Sequence, residues 1–166
     1  MKKNILLLAI TLFSFVSTLS AQDTKRVGGQ IIYGSNLEAL GLGVIGELPV
    51  APKMVISPSF SFYFPKDQGI VKQSAWELNG NLNYIFIEDD NLDFYGIGGL
   101  NYTSIRVKSD IPGVGNFSNS AGRIGLNLGA GANFDIGMGF LPFAEIKYIL
   151  GDFDRLVIGA GIKFNL

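Results

Sequence analysis

The sequence contains neither cysteine nor histidine. Without cysteine, the chain cannot form disulfides, carry a thiol nucleophile or be anchored through a lipid-modified cysteine. Without histidine, it cannot build a Ser-His-Asp triad or most kinds of zinc site. We therefore predict no catalytic residues, no cofactor and no metal site, and we expect a protein that is not an enzyme.

Long apolar runs are absent except near the N-terminus, where residues 5–19 are almost entirely apolar. Lys2 and Lys3 precede this run, and Ser20-Ala21 follow it, which is the layout of a secretory signal peptide. We predict a signal peptide over residues 1–21 and one domain over residues 22–166; cleavage one residue earlier and an uncleaved anchor are the alternatives. Removing the two lysines shifts the formal charge from −1 to −3, which argues against binding of nucleic acid.

Apolar and polar residues alternate with a period of two along the predicted domain, as in a β-strand with one apolar face. Residues 75–86 show this most clearly, with apolar Trp76, Leu78, Leu82, Tyr84 and Phe86 on one parity and polar Glu77, Asn79, Asn81 and Asn83 on the other. The polar faces are rich in Gly, Asn, Ser and charge. This pattern predicts an all-β, eight-stranded antiparallel up-and-down transmembrane barrel, with lipid outside and a polar bore.

Turn signals divide the domain into eight predicted strands. Their approximate bounds are 26–35, 39–48, 53–64, 75–86, 93–107, 121–136, 140–150 and 155–166. Pro58 falls inside the third strand, where it predicts a bulge or a locally unpaired edge. The fifth strand has two competing apolar faces, and we favour Phe94, Leu100 and Tyr102 as the outward set.

The predicted connections differ in length between the two ends of the barrel. Turns at 49–52, 88–91 and 137–139 are short, whereas the longer loops 65–72 and 108–120 fall at the other end. This asymmetry is typical of outer-membrane barrels, whose periplasmic turns are short. We therefore place residues 108–120 outside the cell as a site for an extracellular ligand, where Ile111, Val114 and Phe117 either make contacts or pack over the barrel mouth.

Seven charged residues are predicted to point into the bore. Glu77, Arg123, Glu145 and Lys147 are assigned to the outer half, and Glu47, Asp135 and Lys163 to the periplasmic half. Because an eight-stranded barrel is filled by its own side chains, these charges are expected to form two ion-pair clusters, with Arg123 bridging Glu77 and Glu145. The alternative is a gated polar conduit.

Nine aromatic residues are predicted to form girdles at the two membrane interfaces. The outer girdle comprises Tyr33, Phe64, Trp76, Tyr102 and Tyr148, and the inner girdle comprises Tyr84, Phe86, Phe134 and Phe164. An ordinary apolar core face is the alternative interpretation of these residues.

With these features, residues 22–166 resemble the small OmpA/OmpX-like outer-membrane barrels of Gram-negative bacteria. The resemblance includes Tyr-Gly-Ile-Gly-Gly-Leu-Asn-Tyr at 95–102 and the final Gly-Ile-Lys-Phe-Asn-Leu, although the last residue is Leu166 and the aromatic is Phe164. It implies an outer-membrane location, contact with outer-membrane lipid, and recognition of the C-terminal strand by the assembly machinery. A structural or surface-interaction role is expected; a narrow pore for small solutes and a soluble periplasmic lipocalin-like lipid carrier are the alternatives.

Overall fold

The computed structural model describes residues 24–68, 71–111 and 115–166, and these residues form one closed antiparallel barrel in which each strand pairs with its sequence neighbours. No side chain is described for residues 66–72 and 108–117. The strands are β1 (Arg26–Gly34), β2 (Ala39–Ala51), β3 (Met54–Gln68), β4 (Val71–Asp89), β5 (Leu92–Ile111), β6 (Gly115–Phe134), β7 (Phe140–Gly151) and β8 (Arg155–Asn165). The predicted signal peptide, residues 1–21, lies outside the described residues. Within those residues, no helix is long and apolar enough to cross a membrane.

β1 pairs with β8 from Arg26–Asn165 to Gly34–Val157, and this ladder closes the ring. The stagger of the ring is found by passing from each residue to its paired residue on the next strand. From Gly122 on β6, one circuit of the barrel returns to β6 at Ala132, ten residues further along the strand. This stagger fixes the tilt of the strands, which is typically 35–45° in closed barrels. As a consequence, residues that meet inside the bore cannot be inferred from strand order alone.

Burial alternates along every strand, and the predicted orientation of the two faces is confirmed. Asn79, Asn81 and Asn127 are buried in the bore, whereas Trp76 and Leu128 lie on the outer surface. This is the reverse of a lipocalin-like carrier, whose apolar parity would face inward.

On β5 the favoured face is also correct, since Phe94, Leu100 and Tyr102 are exposed and Tyr95 and Ile97 are buried. At two positions, exposure does not follow the alternation. Ala132 is only 8% exposed although it lies on the outward face between buried Gly131 and Asn133, and Asn165 is exposed because β8 ends there.

The predicted interruption at Pro58 is present as a gap in one ladder. Pro58 lies opposite Gly80 on β4, while the pairs between β2 and β3 run to Ile45–Ser59 and resume at Leu48–Ile56. Since proline has no N–H to donate, it is tolerated where a strand lacks a ladder hydrogen bond on one side. The register shift between these two strands lies further along, between Pro49 and Ala51.

The predicted loops at 65–72 and 108–120 are largely strand, which corrects the sequence analysis. β3 and β4 continue pairing to Gln68–Val71, and β5 and β6 continue to Ile111–Gly115. Glycine, proline and asparagine in the second segment favour a loop, but the backbone ladder of this hairpin continues through most of it. At the opposite end, the short 137–139 turn is present, with positive φ at Gly137 and Gly139.

Candidate functional site

The outer half of the bore holds a charge cluster centred on Glu77, which is fully buried on β4. Its Oε2 accepts hydrogen bonds from Arg155 Nη2 at 2.6 Å and from the Tyr63 hydroxyl at 3.0 Å. Lys147 Nζ lies 3.6 Å from Oε1. The same Arg155 nitrogen also donates to Thr103 Oγ1 at 2.6 Å. We call Glu77, Lys147 and Arg155 the outer cluster.

A ladder of side-chain amides extends from this cluster toward the middle of the bore. Thr103 Oγ1 donates to Asn101 Oδ1, and Asn101 Nδ2 donates to Asn79 Oδ1, both at 2.7 Å. Asn127 Nδ2 donates to Asn81 Oδ1 at 2.7 Å and to Asn79 Oδ1 at 3.0 Å. The asparagine-rich parity of the sequence therefore forms a hydrogen-bonded network across β4, β5 and β6.

The periplasmic half of the bore holds a second charge cluster, which we call the inner cluster and which is centred on Glu47 and Lys163. Lys163 Nζ lies 2.5 Å from Glu47 Oε1 and 2.9 Å from Asn133 Oδ1. Arg26 Nη1, near the barrel end, lies 3.3 Å from Glu47 Oε2. Lys163 Nζ also lies 4.1 Å from the centroid of the Phe143 ring, in a cation–π geometry.

Glu145 lies apart from Glu77, with which the sequence analysis had grouped it. Its Oε1 accepts a 2.9 Å hydrogen bond from the Tyr95 hydroxyl, and this hydroxyl lies 3.5 Å from Lys163 Nζ. Gly131 makes room for the Tyr95 ring, because a Cβ there would lie 2.5 Å from the ring. Glu145 therefore connects to the inner cluster through Tyr95.

The buried formal charges of the described residues cancel. The carboxylates are Glu47, Glu77 and Glu145, and the cations are Lys147, Arg155 and Lys163. A buried charge is tolerated when it is paired and hydrogen-bonded, and removal of one partner is strongly destabilising. The bore is thus filled by a balanced set of charges.

Arg123 and Asp135 do not lie in the bore, contrary to the prediction. The Arg123 side chain is 48% exposed and approaches Asp152 at 3.8 Å, so it bridges neither predicted glutamate. Asp135 is exposed past the end of β6, where its Oδ1 accepts a hydrogen bond from the Gly137 N–H. β6 pairs with β7 only as far as Gly125–Gly151, and Arg123 lies beyond that point.

Arg155 takes the position that the prediction gives to Arg123, and Arg155 is not among the predicted bore charges. The signal was available, because Arg155 shares the inward parity of Val157 and Lys163 on the same predicted strand. As the first residue of β8, it follows a turn, where parity alone does not show whether a side chain enters the bore.

Apolar side chains fill the bore beside the outer cluster, at the same end of the barrel. This mouth cluster consists of Ile32, Leu37, Ala39, Tyr63, Ala75, Ile149 and Val157, with Ile105 and Phe153 packed against it. The Arg155 guanidinium carbon lies 5.6 Å from the Phe153 ring centroid. The alternation predicted a bore that is mainly polar, so an apolar cluster of this size at its mouth was not predicted.

All nine predicted girdle aromatics lie on the outer surface of the barrel. Phe60, Trp76 and Tyr102 form a row of rings, with centroids 5.9 Å apart for the first pair and 5.5 Å for the second. On β5, Phe94 and Tyr102 are eight residues apart, which is ~26 Å along the strand. For a strand tilted by ~40° this corresponds to about 20 Å of height, near the ~25 Å of an outer-membrane apolar band.

No protein-family model matches the sequence, and none of the curated proteins matches it. Solved structures with the same fold include Ail, the attachment invasion locus protein of Yersinia pestis, at 16% identity and a TM-score of 0.59, over 85% of this chain and 97% of that one. They also include the N-terminal barrel domain of Pseudomonas aeruginosa OprF, at 18% identity and a TM-score of 0.60, over 85% and 97%. Neisserial surface protein A is similar at 12% identity and a TM-score of 0.61, over 86% and 96%.

The chain has the fold of the small outer-membrane β-barrels. This fold agrees with the exposed apolar belt and the polar bore, which is the arrangement that a bilayer requires of a spanning sheet. Ail has also been solved in complex with the heparin analogue sucrose octasulfate.

Proposed function

We propose that this protein is a non-enzymatic integral outer-membrane barrel of a Gram-negative bacterium that presents a β-hairpin at the cell surface. The observation that carries the proposal is the unequal length of the strands. The pairing of β6 with β7 ends at Gly125–Gly151, whereas the pairing of β6 with β5 continues to Ile111–Gly115. The extra ten residues of β6 correspond to ~33 Å along the strand.

The surface role rests on this hairpin, which extends past the end of the bore. An extended pair of strands with one free edge can contact a partner through its backbone and its side chains. Ail carries attachment in its name, and this barrel shares its fold. We propose that an extracellular ligand binds at residues 108–120.

The membrane part of the proposal assigns roles to the outer surface and to the termini. The exposed aromatics are proposed to be the two girdles, in contact with outer-membrane lipid. Residues 1–21 are proposed to direct export. Phe164, which is exposed near the end of β8, is proposed to be part of the segment that the assembly machinery recognises.

Single cysteines test the proposed orientation, because the native chain has none. Ser118→Cys lies on the outward face of the hairpin, and Met138→Cys lies in the exposed turn at the opposite end. With a membrane-impermeant maleimide on intact cells, we expect Ser118→Cys to be labelled and Met138→Cys to be labelled only after permeabilisation. The opposite pattern, or labelling of neither residue after permeabilisation, would contradict the proposal.

A narrow pore is the second candidate, since a continuous ladder of amides lies along the bore. Against it stand the two paired charge clusters and the mouth cluster, which together fill the interior with side chains. We therefore expect the purified protein in planar bilayers to show no steady single-channel conductance, and liposomes containing it not to swell in small sugars. Steady conductance of the wild type would favour the pore.

A further inference from the structure

The outward face of β4, β5 and β6 changes from apolar to polar at matching register. The last mainly apolar row is Leu78–Tyr102–Ile124, the next toward the hairpin tip is Trp76–Ser104–Gly122, and the one after that is Ser74–Arg106–Ser120. We call this last row the polar row. Since girdle residues mark the membrane interface, the polar row lies where lipid headgroups begin.

Arg106 is the central residue of the polar row. It lies on the outward face of β5, which is the face proposed to contact lipid further from the hairpin tip. Its Nε donates a 3.2 Å hydrogen bond to Ser120 Oγ, which holds the guanidinium beside that hydroxyl. Arg106 forms no ion pair with any carboxylate whose side chain is described, so no described carboxylate contacts its remaining N–H groups. A fixed guanidinium with unused donors matches the oxygens of a phosphate.

The aromatic residues below the polar row complete the arrangement. A Cβ on Gly122 would collide with the Tyr102 hydroxyl, so this hydroxyl lies over Gly122, next to the polar row. The Tyr102 and Trp76 ring centroids are 5.5 Å apart. An acyl chain can pack on these rings while its headgroup reaches Arg106.

We propose that Arg106, with the hydroxyls of Ser74, Ser120 and Tyr102, binds the phosphate of an anionic membrane lipid. The inference rests on the proposed membrane location and adds a defined headgroup site to it. The low dielectric at the edge of the bilayer strengthens the attraction between guanidinium and phosphate relative to bulk water.

Trp76 is the single tryptophan of the chain and lies in the row next to Arg106, so it reports directly on this site. The protein is reconstituted in vesicles that contain brominated phosphatidylglycerol or brominated phosphatidylcholine, and quenching of Trp76 gives the relative binding constant of the two lipids. We expect the wild type to prefer the anionic lipid about fivefold. Arg106→Gln should reduce this ratio to about one.

Arg123→Gln is the matched control, because this arginine lies on the same pair of strands with the opposite parity and faces Asp152. It should retain the wild-type ratio. The headgroup site is wrong if Arg106→Gln keeps the preference for anionic lipid, or if both variants lose it equally. It is also wrong if inorganic phosphate removes the preference when sodium chloride of equal ionic strength does not, because the site would then take soluble phosphate.

The same experiment separates this site from the membrane location on which it rests. If Trp76 faces lipid, both brominated lipids must quench it to some extent. Equal quenching by the two lipids would overturn only the headgroup site. Absence of quenching by either lipid, in protein that is folded by its heat-modifiable gel mobility, would overturn the membrane location as well.

Discussion

Arg155 donates a 2.6 Å hydrogen bond to Glu77, although 78 residues separate them in the sequence. The two lie on β8 and β4, which are opposite strands of the eight-membered ring, so the bond crosses the bore. Each strand also pairs with two neighbours, but those ladders connect adjacent strands only. The ion pair therefore ties together two walls of the barrel that share no backbone hydrogen bond.

Replacing Arg155 with methionine should destabilise the barrel strongly. The change leaves Glu77 buried with Lys147 as its remaining ion-pair partner, at 3.6 Å. Removal of one member of a buried pair costs ~3–5 kcal/mol, and we expect about 3 kcal/mol because this lysine remains. The measurement is urea unfolding in lipid vesicles, with folded protein followed by heat-modifiable mobility.

Arg123→Gln is the control for that prediction, because the sequence analysis assigned Arg123 the same role. Its pair with Asp152 is exposed, so the loss should stay below ~1 kcal/mol. If Arg123→Gln were as destabilising as Arg155→Met, the assignment of the outer cluster would be wrong.

The strand number and the orientation of nearly every face could be predicted from the sequence, because both follow from a local property. Successive side chains of a strand point to opposite faces, so alternation alone places Asn79 inside and Leu78 outside. On β5 two apolar faces compete, and the favoured choice of Tyr102 over Thr103 as the outward residue is correct.

The ion-pair partners could not be predicted, because they depend on the stagger of the closed ring. Arg123 and Arg155 have the same inward parity on their strands, and in an untilted barrel both would be within reach of Glu77. The ten-residue stagger and the early end of β7 at Gly151 leave Arg123 outside the bore. These are long-range properties of the closed sheet, which no local pattern encodes.

The hairpin was mistaken for a loop for a different reason. Pro112, Gly113, Gly115 and Asn116 are turn formers, and turn formers count against a strand in any local prediction. The ladder between β5 and β6 is nevertheless long enough to continue on both sides of residues 112–114.

Gly131→Ala should disrupt the contact between Tyr95 and Glu145. A Cβ at this position would lie 2.5 Å from the Tyr95 ring, so the ring must move and its hydroxyl must leave the carboxylate. Overpacking of a filled interior typically costs 1–3 kcal/mol, and we expect a loss in that range on unfolding in vesicles. Gly98→Ala is the matched control, because nothing lies within 4 Å of its added Cβ. If the two variants lose the same amount of unfolding free energy, the position of the Tyr95 ring does not depend on the space at Gly131.

Replacing residues 108–118 with Asn-Gly should leave the barrel folded. Val107 and Asn119 are paired, and Asn-Gly is a favoured two-residue turn between antiparallel strands. We expect unchanged heat-modifiable mobility and unfolding within ~1 kcal/mol of wild type, since the clusters in the bore are untouched. Cells with the shortened protein should adhere less to surfaces than cells with the native one. Unchanged adhesion at equal surface levels would remove the proposed role of the hairpin.

Leu128→Arg tests whether lipid or water surrounds the outer face of the barrel. Leu128 is 56% exposed on β6, among other outward apolar residues, and it lies between the two proposed girdles. In water, an exposed leucine can be replaced with arginine at little cost, whereas an arginine at the bilayer midplane costs ~2–4 kcal/mol on the lipid face of a barrel. Ser118→Arg lies on the outward face of the hairpin beyond the polar row. It should not change the folding yield or the unfolding free energy, whether water or lipid surrounds the barrel. We therefore expect Leu128→Arg alone to lose folding yield and unfolding free energy in vesicles. If the two variants behave alike, the apolar face does not contact lipid, and the membrane location would have to be abandoned.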